Sequence, residues 1–302
     1  MADPRLADEG QDVEFDSEFL KKLELLHILA KRLMRERNRG DRRFTTKGTS
    51  VEFKDYRNYV LGDDTRYIDW NIFQRLGRLL LKLYEEEVEH HVYLLIDGSA
   101  SMGFGSRTKL TQAKLIAAAL AYIALANHDR VSVGVFRGGL EEQLPPVQGK
   151  ARIWSIFRFL EGIRPAEGTA VGETCRVFAH RNRRRGIAVL LSDFLDPDGV
   201  DEGIRQLVYR KYEMYLVHTL APEDERPELR GELTLVDSET EEELRVTVDE
   251  STLALYRRTF EDWLGEIEEA CRKRQVVYLR APTDAPFDEV VLRMFRDGRL
   301  LG

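Results

Sequence analysis

What this chain has little of narrows its chemistry before any motif is found. Its 302 residues hold two cysteines, Cys175 and Cys271. They form no C-x-x-C pair and no zinc spacing, so a disulfide framework and a zinc module are excluded as the organising device. Two thiols buried or half-buried in a reducing compartment are the expectation. The N-terminus, "MADPRLADEGQDVEF", is acidic and lacks the apolar core of a signal peptide. Apolar residues do not run unbroken for a bilayer's width, which predicts no membrane span and a cytoplasmic protein. There is no excess of positive charge: the formal net charge is -7, which argues against a general nucleic-acid binder. Internal repeats and low-complexity blocks are lacking too. The stretch "GFGSRTK" has neither the third glycine of a dinucleotide loop nor the G-K-[ST] ending of a P-loop, so ATP hydrolysis by this chain is not expected.

What is present is a long, soluble-looking alternation. Hydrophobic residues make up 43% and charged residues 33%, enough for a substantial core under a charged surface. Residues 1–14 read as a flexible tail. "DSEFLKKLELLHILAKRLMRERNRG" then carries Phe19, Leu20, Leu23, Leu26, Leu29, Ala30 and Leu33 at helical spacing, with Asp16 or Ser17 as cap and Gly40 after its cationic end. Residues 44–87 are rich in aromatic and β-branched residues, with a turn at Gly62-Asp63-Asp64. Arg57, Arg66, Asp69 and Trp70 there could form an interface, but are read as partly buried ion pairs and packing that hold one segment to another. From residue 91, strands such as "HVYLLID", "RVSVGVF", "IAVLLSD", "YEMYLVHTL" and "QVVYLRA" alternate with helices, which predicts an α/β fold with a mainly parallel sheet covered on both faces. Two polar strands about an acidic turn, "LRGELTLVDSETEEELRVTVDES", interrupt it. The predicted division is a tail at 1–14, an N-terminal helix with a small β-rich attachment at 15–87, the α/β domain at 88–282, and a C-terminal helical segment at 283–302.

Sites in open α/β sheets lie beyond the carboxyl ends of strands. Three loops of this edge carry chemistry. "LLIDGSASMGFGS" supplies Asp97, Ser99 and Ser101; "EGTAVGE" supplies Thr169; "IAVLLSD" ends at Asp193, with Asp196 and Asp198 after it. Asp97, Ser99, Ser101, Thr169 and Asp193 are all hard oxygen donors, the set Mg²⁺ prefers, with Mn²⁺ or Ca²⁺ as substitutes. A rival reading takes Ser99-Ala-Ser101-Met-Gly103 as a nucleophile elbow, with Ser101, Asp193 and His218 in the chain order of an α/β serine esterase or hydrolase. It leaves Asp97 and Thr169 without a role. A third takes the stretch as a strand running into a serine-rich turn. His90 and His91, adjacent on a strand, point to opposite faces and make no metal pair. "RNRRRG" at 181–186 is read as a cationic helix end before a glycine rather than a phosphate site.

"DGSASM", the Gly-Thr pair at 168–169 and "LLSDF" resemble the metal-ion-dependent adhesion site of von Willebrand factor A domains. That resemblance implies a von Willebrand A-like (Rossmann-type) domain in which Ser99, Ser101 and Thr169 ligate Mg²⁺ through their hydroxyls. Asp97 and Asp193 would act largely through bound waters. "SVEFKDYRNYVLGDDTRYIDWN" at 50–71 is similar to the segment marking the bacterial domain-of-unknown-function family fifty-eight, which joins it to such a domain. Many members carry membrane helices and an extra β domain; this chain reads as a short cytosolic form. The resemblance implies a non-enzymatic, Mg²⁺-dependent protein-binding module with no catalytic residues of its own. A partner's Asp or Glu would complete the metal. It also implies an accessory role to a MoxR-type AAA+ ATPase in assembling or activating other proteins.

Overall fold

A computed structural model describes residues 13–38, 51–86, 90–196, 199–240 and 242–297. The expected tail lies almost wholly outside these residues, as do Gly40 and Asp198. The chain divides into two units, one of residues 37–89 and one of the rest.

The smaller unit is a two-stranded antiparallel ribbon with one short helix. Strand β1 (Val51–Asn58) pairs with β2 (Leu80–Glu86), and α2 (Trp70–Leu76) lies between them in sequence. Asp69 caps α2, its carboxylate accepting from the amides of Asn71 and Ile72. The same side chain takes the Tyr56 hydroxyl at 3.0 Å and the Lys82 ammonium at 3.1 Å. These bonds hold its carboxyl below the usual range although burial alone would raise it. Arg57 clamps Asp63 with two bonds of 2.7 Å, and Arg66 pairs with Asp64. The expected ion pairs are present, but they join residues within this segment rather than one segment to another, and Trp70 remains 55% exposed beside Phe73.

The larger unit is an α/β fold around one six-stranded sheet. Its strands are β3 (His91–Asp97), β4 (Arg130–Phe136), β5 (Leu140–Gln148), β6 (Ile187–Ser192), β7 (Glu213–Leu220) and, after the separate hairpin β8 (Gly231–Val236) and β9 (Glu243–Val248), β10 (Val277–Pro282). In space the order is β10-β7-β6-β3-β4-β5. All neighbours are parallel except β4 and β5, which form an antiparallel hairpin at the edge. Prolines 145 and 146 sit in that edge strand, where a missing N–H costs no ladder bond.

Alternation along β3 sends Val92, Leu94 and Ile96 to one face and Tyr93 and Leu95 to the other, so the strand is apolar throughout. One face is covered by α3 (Lys109–Ala126), α4 (Ile153–Gly162) and α9 (Phe287–Asp297). The other is covered by α5 (Val171–Arg181), α6 (Asp201–Tyr209) and α8 (Glu250–Lys273). A four-residue helix, α7 (Pro222–Glu225), follows β7.

The N-terminal helix α1 (Ser17–Asn38) departs from the expected division. It belongs to the α/β unit, not to the β-rich segment. Asp16 caps its start, accepting from the Phe19 amide at 2.7 Å. Its apolar stripe, Phe19, Leu23, Leu26 and Ala30, is buried in the core cluster that contains α3 and α4. Phe15 stacks on Phe157 of α4 at 4.5 Å between ring centroids, and Phe19 meets Phe287 of α9 at 5.3 Å. The C-terminal helix is equally integral: Val290, Val291 and Met294 are fully buried.

Two predictions follow from this packing. Leu23→Ala removes a fully buried side chain of α1 and is expected to cost the whole α/β unit about 2–5 kcal/mol; urea unfolding monitored on α/β signals checks it, and a change confined to local fraying would contradict the docking. Cys175 and Cys271 are both buried, and burial pushes each thiol up to about 12. A thiol-reactive dye is therefore expected to count no accessible thiol in the native protein and two after denaturation.

Candidate metal centre at the carboxyl edge of the sheet

The strand order decides where a site can form. From β3 the chain crosses to β4 on one side and later returns to β6 on the other, so β3 and β6 flank the point where the winding reverses. A crevice opens beyond their carboxyl ends. Asp97 is the last residue of β3, and Asp193 directly follows β6.

Asp97 is completely buried. Its Oδ1 accepts from the Ser99 amide at 2.9 Å, and its Oδ2 accepts from the Ser192 hydroxyl at 2.5 Å. Ser192 Oγ in turn accepts from the Phe194 amide at 2.8 Å. The ends of β3 and β6 are thereby tied through one carboxylate. Ser99 Oγ lies 3.1 Å from Ser101 Oγ, both in the turn after β3. Burial, and next the charge of Asp193, push the Asp97 carboxyl well above the usual carboxylate range, against the pull of the Ser192 and Ser99 bonds.

Asp193 is 2% exposed. Lys109, the first residue of α3 and itself 1% exposed, brings its ammonium to 2.6 Å from Asp193 Oδ2 and 3.3 Å from Asp224 Oδ2. The first contact is an ion pair without hydrogen-bond alignment, since no donor is directed at that Oδ2. Thr169 is half-buried in the loop before α5. Its neighbour Gly168 has φ +96, and a Cβ there would stand 3.0 Å from the Gly138 amide nitrogen, so only glycine suits the approach of these loops. Asp196 does not face this centre through its bonded oxygen, which accepts from the Val171 amide at the start of α5.

Asp97, Ser99 and Ser101 are joined by direct contacts, and Asp193 adjoins them through Ser192. The Thr169 loop is linked to Ser101 by a residue that sequence reasoning missed. Glu239, from the turn of the β8–β9 hairpin, accepts from the Ser101 amide at 2.9 Å and from the Gly168 amide at 2.6 Å. Lys109 was missed as well. A lysine in the first turn of a helix opposes the dipole, and that misfit was the available signal. Among the described residues no group of three or more His, Cys, Asp or Glu side chains is placed to hold a metal. The set here is of another kind, two carboxylates completed by hydroxyls. All are hard oxygens, and a cation, the Lys109 ammonium, already stands 2.6 Å from Asp193 Oδ2; the chemistry of this donor set suits a small divalent cation.

The hydrolase constellation does not assemble. His218 is fully buried, its Nδ1 paired with the Tyr278 hydroxyl at 2.8 Å, amid Phe194, Trp263 and Tyr278. Burial holds the imidazole down to about 3, against the pull of Asp193, so the ring is neutral. No hydrogen bond joins it to Ser101, and Ser101 Oγ faces Ser99 instead; a relay needs the base on the nucleophile and an orienting acid on its other nitrogen. His90 and His91 lie at the opposite end of β3. At that same end Arg183, Arg185, Arg210 and Lys211 line a cleft.

With the fold and this edge described, comparison with known proteins gives the class. The chain belongs to the family described as "Protein of unknown function DUF58", which matches residues 55–264. That bears out the family half of the resemblance. Uncharacterized proteins of Mycobacterium bovis and Mycobacterium tuberculosis are each 27% identical over 207 residues, covering 67% of this chain. The chain spans 65% of the length of these curated relatives. Similar solved structures include the conserved hypothetical protein BatB of Bacteroides thetaiotaomicron, at 17% identity and TM-score 0.46, covering 69% of this chain and 98% of that one. An aerotolerance-related membrane protein of Bacteroides fragilis gives 17% and 0.46, over 69% and 97%. An uncharacterized membrane spanning protein of Vibrio fischeri gives 19% and 0.26, over 61% and 98%.

These findings correct two expectations. A cytoplasmic location and the absence of any membrane span are withdrawn, because two of the similar solved proteins are described as membrane proteins. Residues 109–126 are themselves long and apolar enough to cross a bilayer by length and composition. In this fold they form α3, which is 89% buried within the α/β core. None of the descriptions names a MoxR-type ATPase, and that partner is not carried further.

The Lys109 contacts yield a prediction for the site. Lys109→Met leaves Asp193 and Asp224 without their buried cation and is expected to destabilise the metal-free protein by about 3–5 kcal/mol. Denaturant unfolding in chelator measures it; a loss below about 1 kcal/mol would mean the pair is not structurally coupled.

Proposed function

We propose that this chain is a binding module rather than an enzyme. In this reading the α/β unit is a von Willebrand A-like domain, and its carboxyl edge holds Mg²⁺ to capture a carboxylate of a partner protein. One observation carries it: Asp97 and Asp193 are two buried acids at the reversal of the strand order, and Asp193 Oδ2 is met by an ion pair with the Lys109 ammonium, a cation that also serves Asp224. Burial disfavours the charged form of such acids, as at the raised Asp97 carboxyl, and Lys109 shares its one positive charge with Asp224; a bound divalent cation would favour the charged form of both.

The roles divide by position. Ser99, Ser101 and Thr169 offer neutral hydroxyl donors from two loops. Asp97 and Asp193 offer charge from the strand ends, and the Ser192 bond fixes the first of them. When bound, the ion would supply a positive centre that a partner's Asp or Glu can complete; Mn²⁺ or Ca²⁺ shares the preference for oxygen.

Asp97→Ala is expected to abolish Mg²⁺ binding in isothermal calorimetry, and Ser101→Ala to weaken it, with both variants folded by circular dichroism. Mg²⁺ affinity unchanged in both would sink the assignment.

A further inference from the structure

The Glu239 contact is unusual for a surface hairpin. Strands β8 and β9 are exposed along most of their length, including Val236 at 60% and Leu244 at 63%. An isolated two-stranded ribbon of this kind has little stability of its own. Its turn is nevertheless built to aim one side chain. Asp237 Oδ1 accepts from the amides of Glu239 at 2.8 Å and Thr240 at 2.9 Å, and the Asp237 amide donates to Glu242 O at 2.9 Å. Within this acidic turn Glu239 is half-buried while its described neighbours are exposed. Its two carboxylate oxygens take two different loops, Oε1 the Ser101 amide and Oε2 the Gly168 amide.

A fork of two backbone N–H groups that grips both oxygens of a carboxylate is a carboxylate receptor, whatever chain the carboxylate comes from. These amides belong to Ser101 and to the residue before Thr169, so the fork lies on the rim of the candidate metal centre. We propose that the Ser101–Gly168 amide fork is the docking point for the partner's acidic side chain. Glu239 is its built-in occupant, a tethered stand-in that the incoming carboxylate must displace. The displacement step rests on the binding reading above; the fork and its occupant do not, because two amides hold a carboxylate without a metal.

The hairpin is suited to leaving. It is attached through Gly231, at φ +92 with open space around it, and through Asp249, the cap of α8. A tethered carboxylate competes at a local concentration in the millimolar range, so a weak free carboxylate loses to it and a multivalent acidic partner does not.

The test uses the full chain in chelator, with Glu239→Gln and Glu239→Ala, amide exchange by NMR, and sodium acetate as probe. Both variants should exchange the Ser101 and Gly168 amides about tenfold faster than wild type, with core amides unchanged. Acetate should slow exchange of these two amides in the variants and leave wild type unaffected at the same concentration. Equal exchange of the two amides in wild type and both variants would overturn the latch. Exchange that quickens in the variants but never responds to acetate would overturn the receptor, leaving Glu239 a structural brace. Mg²⁺ calorimetry on the same samples separates the two ideas: wild type that binds no Mg²⁺ yet shows the expected exchange removes the metal and keeps the fork.

Discussion

Asp97 is the constraint on which the rest of this edge depends. A carboxylate fully removed from water must be held by donors, and here they come from the next turn and from the end of the adjacent parallel strand. That single group ties the end of β3 to the end of β6 beyond their ladder and anchors the start of the Ser99–Ser101 turn, with a second buried acid, Asp193, one residue past Ser192. Lys109 then answers Asp193 from the first turn of α3 and links it to Asp224 beyond β7. The centre is a chain of charges radiating from one buried aspartate.

Much of the architecture was legible in the sequence because parallel strands buried on both faces leave continuous apolar runs. The five parallel strands were visible in this way, and the polar hairpin by its acidic turn between two short strands. The placement of α1 was not. Its stripe of Phe19, Leu23, Leu26 and Ala30 says that one face is covered, and an amphipathic period is silent about which unit covers it. The site was legible in part for a similar reason. Asp97 and Asp193 stand at strand ends, where topology gives position. Glu239 sits in a run of acidic residues, and nothing local separates the one that reaches back from those that face solvent.

The apolar character of α3 illustrates the same limit from the other side. Its residues are buried all round because the sheet lies beneath it and α1, α4 and α9 surround it. A helix covered on every side by protein and a helix covered by lipid carry the same composition. What distinguishes this one is the buried polar commitment at its start: Lys109 is paired with two acids, and Thr108 caps the helix by accepting from the Thr111 amide.

The edge strand β5 has a consequence for how such a molecule meets others. Prolines 145 and 146 remove two amide donors at the bulge of this edge strand, and among the described residues β5 is the one antiparallel strand of the sheet. Strand addition, the common way for one sheet to recruit a peptide, is blunted on this side. A partner of the kind proposed would find little backbone to pair with along this margin, and would have to be told apart by the single side chains it brings to the loop tips.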